Sequence, residues 1–237
     1  MAEKQVTAPV IESNDNDIID RARGFWAEFS KPIIYIGSAL ILLGGGWLVY
    51  KNMFLAPKQE KSAELIFPAE QLFDKMAQTG FNKDSINIVL NGGNGVTTGV
   101  LKIASTYSGT DAGNRANFIA GACYLHSKDF NKAIKFLKEF STSATQVQTA
   151  AFNMTGDAYS ELKNNEEALS YYKKAATVNT KDEFMSSESL FKAAMFAESV
   201  GNTKEAIELF QKLKDEYPKN THAADIDKYL AQLGVLN

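Results

Sequence analysis

Residues 121–137 read GACYLHSKDFNKAIKFL, residues 156–172 read GDAYSELKNNEEALSYY, and residues 194–210 read AMFAESVGNTKEAIELF. Laid over one another, the three stretches keep one pattern. Gly121, Gly156 and Ala194 open them, with Tyr124, Tyr159 and Ala197 three positions on. Ala133, Ala168 and Ala206 each follow twelve residues after the opening, and Leu137, Tyr172 and Phe210 stand four residues later still. Phe130, Ala133, Ile134, Leu137 and Phe140 share one helical face, as do Ala206, Ile207, Phe210, Leu213 and Tyr217. Asn164 with Glu167, and Asn202 with Glu205, have the spacing of an N-cap and its reciprocal acid. Each stretch therefore predicts a helix, a tight turn and a second helix. The small opening residue lets the alanine of the second helix approach the first, and aromatics fill the space between neighbouring units.

This pattern resembles the tetratricopeptide repeat, a helix–turn–helix unit of about 34 residues. The resemblance implies an all-α fold, an α-solenoid with three repeats over residues 113–219 and Pro218 closing the last. The alanines lie 35 and 38 residues apart, so the second interval is longer than the family's period. The surplus is expected as an added turn or loop at Asn179–Phe184. Phe152 and Leu190 can serve as the family's bulky early residue, where the first unit has Asn117. Upstream, Ser62–Gln78 and Thr97–Tyr107 read as helices, and residues 91–95 (NGGNG) as the loop between them. Residues 55–112 are thus a linker followed by a degenerate first repeat or an N-terminal cap. Residues 220–237, with a helix over Thr221–Leu233, would cap the other end of the stack.

A different signal comes before all this. The run Pro32–Tyr50, PIIYIGSALILLGGGWLVY, has 19 residues and no charge. As a helix it would span about 28 Å, close to the hydrocarbon thickness of a bilayer. Trp26, Tyr35, Trp47 and Tyr50 sit toward its ends, and Lys31 and Lys51 bracket it. A cleaved signal peptide is the competing reading, but it calls for a short basic head and a small-x-small cleavage site. Here a head of 31 residues carries six acids, and Pro57 follows Ala56. The expectation is a single transmembrane helix over residues 32–54. Residues 1–31 would form a polar tail with an amphipathic lead-in, residues 1–24 being read as mobile. Orientation is undecided by charge: Arg21, Arg23 and Lys31 on one side balance Lys51, Lys58 and Lys61 on the other. The glycines Gly44–Gly46 contain no Gly-x-x-x-Gly pair and say little about self-association.

Composition excludes several function classes. The net charge is -3, and residues 51–237 hold 21 Lys/Arg against 22 Asp/Glu, leaving no excess of positive charge for nucleic acid. One cysteine supports neither a disulfide framework nor a thiolate zinc site. Cys123 lacks a predicted cation beside it and reads as a packing residue, and its position argues against a lipid-anchored N-terminus. His126 and His222, 96 positions apart, do not suggest a catalytic pair. Glu166-Glu167 sit at a helix start and Asp182-Glu183 in a loop, where acids favour the helix dipole and water. The glycine loop lacks the Lys-Ser/Thr of a phosphate-binding loop, and Asn153-Met-Thr155, a glycosylation sequon in form, falls inside a helix. No catalytic residue, cofactor, metal or small-molecule substrate is expected, and the chain reads as a non-enzyme.

The whole order of elements is similar to a narrower group. An N-terminal anchor, a helix, a glycine-rich loop, a short helix and three repeats resemble the membrane-anchored ancillary subunits of the SecYEG translocon in their Bacteroidota form. That resemblance covers about Ser62 to Leu233 and the place of the anchor. It implies a bacterial inner-membrane protein with a cytoplasmic N-terminus and a periplasmic repeat domain. The implied partners are SecYEG, a membrane-anchored periplasmic chaperone or prolyl isomerase, and membrane lipid. Carrying the groove positions of the tetratricopeptide repeat across gives Arg115, Phe118, Ala122, Leu125 and His126 in the first unit. The second contributes Ala150, Asn153, Asp157, Ser160 and Glu161, and the third Glu188, Phe191, Met195, Glu198 and Ser199. The expected groove is apolar at both ends and acidic in the middle, suited to extended or partly folded apolar segments. On that basis Asp at positions 118 and 191 would abolish partner capture without unfolding the domain. The competing arrangement has Phe118, Phe191 and Met195 packed against a cap helix. A scaffold for another envelope assembly (cell-wall synthesis, division or surface export) is the alternative function.

Overall fold

The computed structural model describes residues 15–235, which are helical almost throughout and divide into two compact units at Ala56–Pro57. The first unit holds α1 (Asp15–Tyr50) and a π-helical segment, Lys51–Leu55. The described residues include one helix long and apolar enough to cross a membrane, and none of its most apolar stretch is buried. Ile41 and Leu42 are each 75% exposed. Of the expected mobile tail, residues 1–14 lie outside the described residues. Residues 15–24 correct that reading, because they are already part of α1. Ile19 and Ala22, continued by Phe25, recur at the helical period, which favours a helix over a free tail.

The second unit opens with α2 (Ala56–Thr79), α3 (Lys83–Asn91) and α4 (Val100–Thr106). Three helical hairpins follow: α5 (Asp111–His126) with α6 (Phe130–Glu139), α7 (Thr145–Glu161) with α8 (Asn165–Ala176), and α9 (Glu183–Ser199) with α10 (Thr203–Glu216). The short α11 (Ala223–Gln232) closes the stack. Each hairpin turns in the same way. Lys128, Lys163 and Gly201, five residues ahead of each alanine, take left-handed backbone angles of φ 62°, 61° and 76°. The next residue caps the second helix: Asp129, Asn164 and Asn202 accept from the backbone N–H of Lys132, Glu167 and Glu205 at 3.3, 3.4 and 3.4 Å. Ala133, Ala168 and Ala206 are fully buried.

The glycines admit a different neighbour from the one expected. A Cβ at Gly121 would lie 2.5 Å from Leu137 Cγ, and one at Gly156 2.5 Å from Tyr172 Cε1. The closest approach thus comes from the bulky residue four positions beyond each alanine. The surplus in the second interval is also placed differently. α8 has 12 residues against 10 in α6, and the connection 177–182 has six residues against five in 140–144. Two of the three extra residues lengthen the helix, and one lengthens the loop.

First helices touch one another along the stack, α3 to α5, α5 to α7 and α7 to α9, whereas α6, α8 and α10 make no such contacts among the described residues. The first helices therefore form the inner layer. Because α3 and α4 continue this contact pattern, they occupy the place of a shortened leading repeat. The helix expected over Ser62–Gln78, as part of a degenerate repeat or of an N-terminal cap, is α2, which covers the end of the stack, burying Ile66, Ala69 and Met76 against Val89, Val100, Ile103 and Ala116. Ser62 Oγ donates to Thr110 Oγ1 at 3.2 Å, and Gln59 bonds Asp111, fixing α2 to the start of α5.

Candidate interaction surface

Most residues expected to line an open groove are engaged within the fold. Arg115 Nε lies 2.6 Å from Glu70 Oε1 on α2. Phe118 is half-buried with its ring 5.1 Å from Phe140. Ala122 is buried, and Leu125 packs into the cluster of Ala133, Ile134 and Ala158. The His126 ring lies flat on Phe81 at 3.6 Å. In the middle of the stack Asn153 Nδ2 donates to Ser189 Oγ at 3.3 Å. Asp157 accepts from the Tyr172 hydroxyl and pairs with Lys192, both at 2.7 Å. The expected acidic middle is therefore largely neutralised; Glu161 is its exposed carboxylate, while Ala150 and Ser160 are half-buried.

The C-terminal end is closed. Phe191 stacks on His222 at 3.6 Å, and its edge meets Phe210 at 6.1 Å and Tyr229 of α11 at 5.7 Å. His222 Nε2 also pairs with Glu188 at 3.1 Å. Met195 joins the same cluster half-buried, Glu198 keeps one buried oxygen without a hydrogen bond, and the Ser199 hydroxyl donates to the Phe196 carbonyl. Phe191 and Met195 thus belong with the cap, and Asp at position 191 would unseat α11. That corrects the expectation that such a change spares the fold. Tyr124 and Tyr159 stack on Phe136 and Tyr171, and Pro218 is exposed just past α10.

Two recesses on the inner layer take in several of the transferred positions, and a smaller one of about 390 Å³ lies between α3 and the end of α5. One of the two, of about 590 Å³, has Phe73, Phe118, Ile119 and Phe140 as its apolar lining and Val147 at its edge. Glu70, Asp74, Asp111 and Arg115 surround it, three acids and one base. Sequence reasoning missed Glu70, Phe73, Asp74 and Val147. The first three come from α2, which lies outside the repeats, and Val147 lies in the first turn of α7, ahead of the transferred positions. Asn114 shapes the far wall: its side chain donates to the Ser141 carbonyl at 2.7 Å and accepts from the Ser141 N–H at 3.1 Å. The other recess, of about 670 Å³, is bounded by Asn153, Glu188, Phe191, Lys192, Met195 and His222 among others. Most of its polar groups are paired within the fold, but the Asn153 Oδ1 is buried without a hydrogen-bond partner.

Burial shifts two side chains toward their neutral forms. Burial pushes the Cys123 thiol up to about 12, so its thiolate is suppressed near neutrality. Burial also raises the Tyr172 hydroxyl, with Asp157 adding to the effect. Among the described residues, no group of three or more His, Cys, Asp and Glu could hold a metal ion. His126 has a consequence for stability. Partial burial holds its imidazole below the ordinary value, and Lys83 lines the recess between α3 and the end of α5 with it. The folded domain binds that proton less readily than the unfolded chain, so the contribution of His126 to stability is complete above about pH 6.5 and is lost as pH falls below that value. Melting curves recorded downward from about pH 7.5 should show this decline. His126→Phe keeps a ring on Phe81 and should flatten part of it; an unchanged slope would sink the assignment.

Residues 149–182 and residues 188–220 each match a family model of the tetratricopeptide repeat. No curated protein and no solved structure matches the chain. The first matched segment runs from within α7 through α8 and the second from within α9 through α10, while α5 and α6 repeat their cap, their left-handed turn and their buried alanine. By sequence and by geometry, the helical stack is an α-solenoid of tetratricopeptide repeats.

Proposed function

We propose that this chain is a non-enzymatic scaffold, anchored in the bacterial inner membrane by Pro32–Tyr50 and working beside the SecYEG translocon. In this reading the N-terminus is cytoplasmic and the repeat domain periplasmic. The repeats receive a membrane-anchored chaperone or prolyl isomerase, or the apolar segments of emerging secreted chains. The observation that carries it is the joining, in one chain, of an uncovered apolar helix and a repeat stack with an apolar recess on its inner layer. Tethering supports the arrangement physically, because an encounter between two groups fixed at one exit site is effectively intramolecular. The recess around Phe118 supports it chemically. Its lining accepts an apolar side chain, and its acidic surround favours a flanking Lys or Arg.

Gentle detergent extraction of the tagged full-length protein, followed by mass spectrometry, tests the assignment. SecYEG subunits and a periplasmic chaperone at near-stoichiometric levels are the expected result. Enrichment of a cell-wall, division or surface-export complex in their place would overturn the translocon assignment while leaving the scaffold. The recess is tested separately with Val147→Lys, since Val147 is 39% exposed and carries no core packing. Partner recovery should fall with melting temperature unchanged; undiminished recovery would remove the recess from the interface.

A further inference from the structure

Counting from Asp15 to Tyr50, α1 has 36 residues and extends about 54 Å, far more than the roughly 30 Å of a hydrocarbon core. Its uncharged run occupies only Pro32–Tyr50. The residues before Pro32 form a second kind of helix. At about 100° per residue, Ile19, Ala22, Phe25, Trp26 and Phe29 fall within an arc of about 120°. Arg21 and Arg23 stand at the two edges of that arc, and Asp20, Glu28 and Lys31 lie opposite it. The Phe25 and Phe29 rings meet at 4.9 Å along the arc. Even so Phe25 and Trp26 are each 56% exposed, and Ile19 and Phe29 are 48% and 43% exposed. Pro32, at the junction, removes one backbone donor and crowds the carbonyl of Glu28, which is where a helix bends.

We infer that Ile19–Lys31 lies along the phospholipid surface as an interfacial helix, its aromatic arc at the boundary of headgroups and acyl chains. This rests on the membrane-spanning reading of Pro32–Tyr50, which delivers the segment to the bilayer surface wherever the chain leaves the span. The residue types suit that layer. Trp and Phe favour the interface, and arginines at the edges of an apolar arc reach outward to headgroups while their stems stay on apolar surface. The arc is also wider than the two-position seam through which helices pair in water. Three bases against two acids over residues 19–31 leave a charge of +1, so apolar burial rather than attraction to anionic lipid holds the helix down.

The chain has two tryptophans, Trp26 on this arc and Trp47 in the span, and they separate the two claims. Full-length Trp47→Phe and Trp26→Phe, each retaining one tryptophan, are reconstituted in phosphatidylcholine–phosphatidylglycerol vesicles. The acyl chains are brominated either near the headgroup or near the methyl end. Trp26 is expected to be quenched roughly twofold more by shallow than by deep bromine and to be shielded from aqueous iodide. Adding Phe25→Ser and Phe29→Ser should return Trp26 to iodide while leaving Trp47 shielded. Trp26 open to iodide with Trp47 still quenched by bromolipid would overturn the interfacial helix and keep the span. Trp26 shielded from iodide yet untouched by either bromolipid would overturn it in favour of a protein neighbour. Quenching of Trp26 mainly by deep bromine would overturn it in favour of a longer span. Both tryptophans open to iodide would remove the span and the inference together.

Discussion

Phe210→Ala is expected to destabilise the repeat domain by about 3–5 kcal/mol, the range for emptying an aromatic-sized space in a core. Phe210 is the largest fully buried side chain of the described residues. It sits on α10 with its ring stacked on Tyr229 at 5.1 Å and 1°, and in edge contact with Phe191 at 6.1 Å. These contacts join α9, α10 and α11, so the void cannot close without moving a helix. Because neighbours carry the stability of a repeat stack, the damage should concentrate at the C-terminal end. Urea unfolding followed by circular dichroism measures the loss, and hydrogen exchange locates it in α9–α11. Phe184→Ala is the control: Phe184 is 64% exposed, and its loss should stay within about 0.5 kcal/mol. A cost below about 1 kcal/mol for Phe210→Ala would show that the ring does not fill that space.

At the other end of the stack, Gly113→Ala should cost about 2–4 kcal/mol, combining overpacking with a weakened helix cap. A Cβ there would lie 2.2 Å from the Tyr107 carbonyl oxygen and 2.9 Å from its carbon. The obstacle is backbone and cannot rotate away. The Gly113 N–H also donates to Thr110 Oγ1 at 3.0 Å, and Thr110 in turn takes the hydrogen bond from Ser62 of α2. Displacing α5 therefore loosens its own cap and the hold on α2 together. Gly121→Ala should cost less, since the atoms it meets under 3.0 Å are Leu137 Cγ and Cδ2, with backbone no nearer than the Leu137 N at 3.2 Å. Thermal melts of the two variants rank them; equal losses would mean that the Tyr107 carbonyl yields as easily as a side chain.

The hairpins were legible because their determinants are local. The caps Asn164 and Asn202 lie four residues from the alanines they precede, and the twelve-residue offset from each opening residue needs nothing outside the unit. α3 escaped notice for the opposite reason. Asn82 caps it and Ile86, Val89 and Leu90 are its buried residues, but nine residues are too few to signal a helix without their tertiary partners. The interaction surface was the least legible part. Arg115 meets Glu70 across 45 residues, and His222 meets Glu188 across 34. Both partnerships depend on α2 and on the start of α11, elements outside the repeats. The transferred groove positions assume an inner face that no flanking helix covers. Gly113 carries no pattern at all, because what constrains it is a carbonyl in the preceding turn.

The left-handed turns at Lys128, Lys163 and Gly201 set where this chain tolerates insertion. Between the two helices of a hairpin, one added residue would break the sequence of left-handed residue and helix cap that closes the turn. The connections at 140–144 and 177–182 already differ in length, so a spectroscopic label or a short tag placed there should leave the helix register intact.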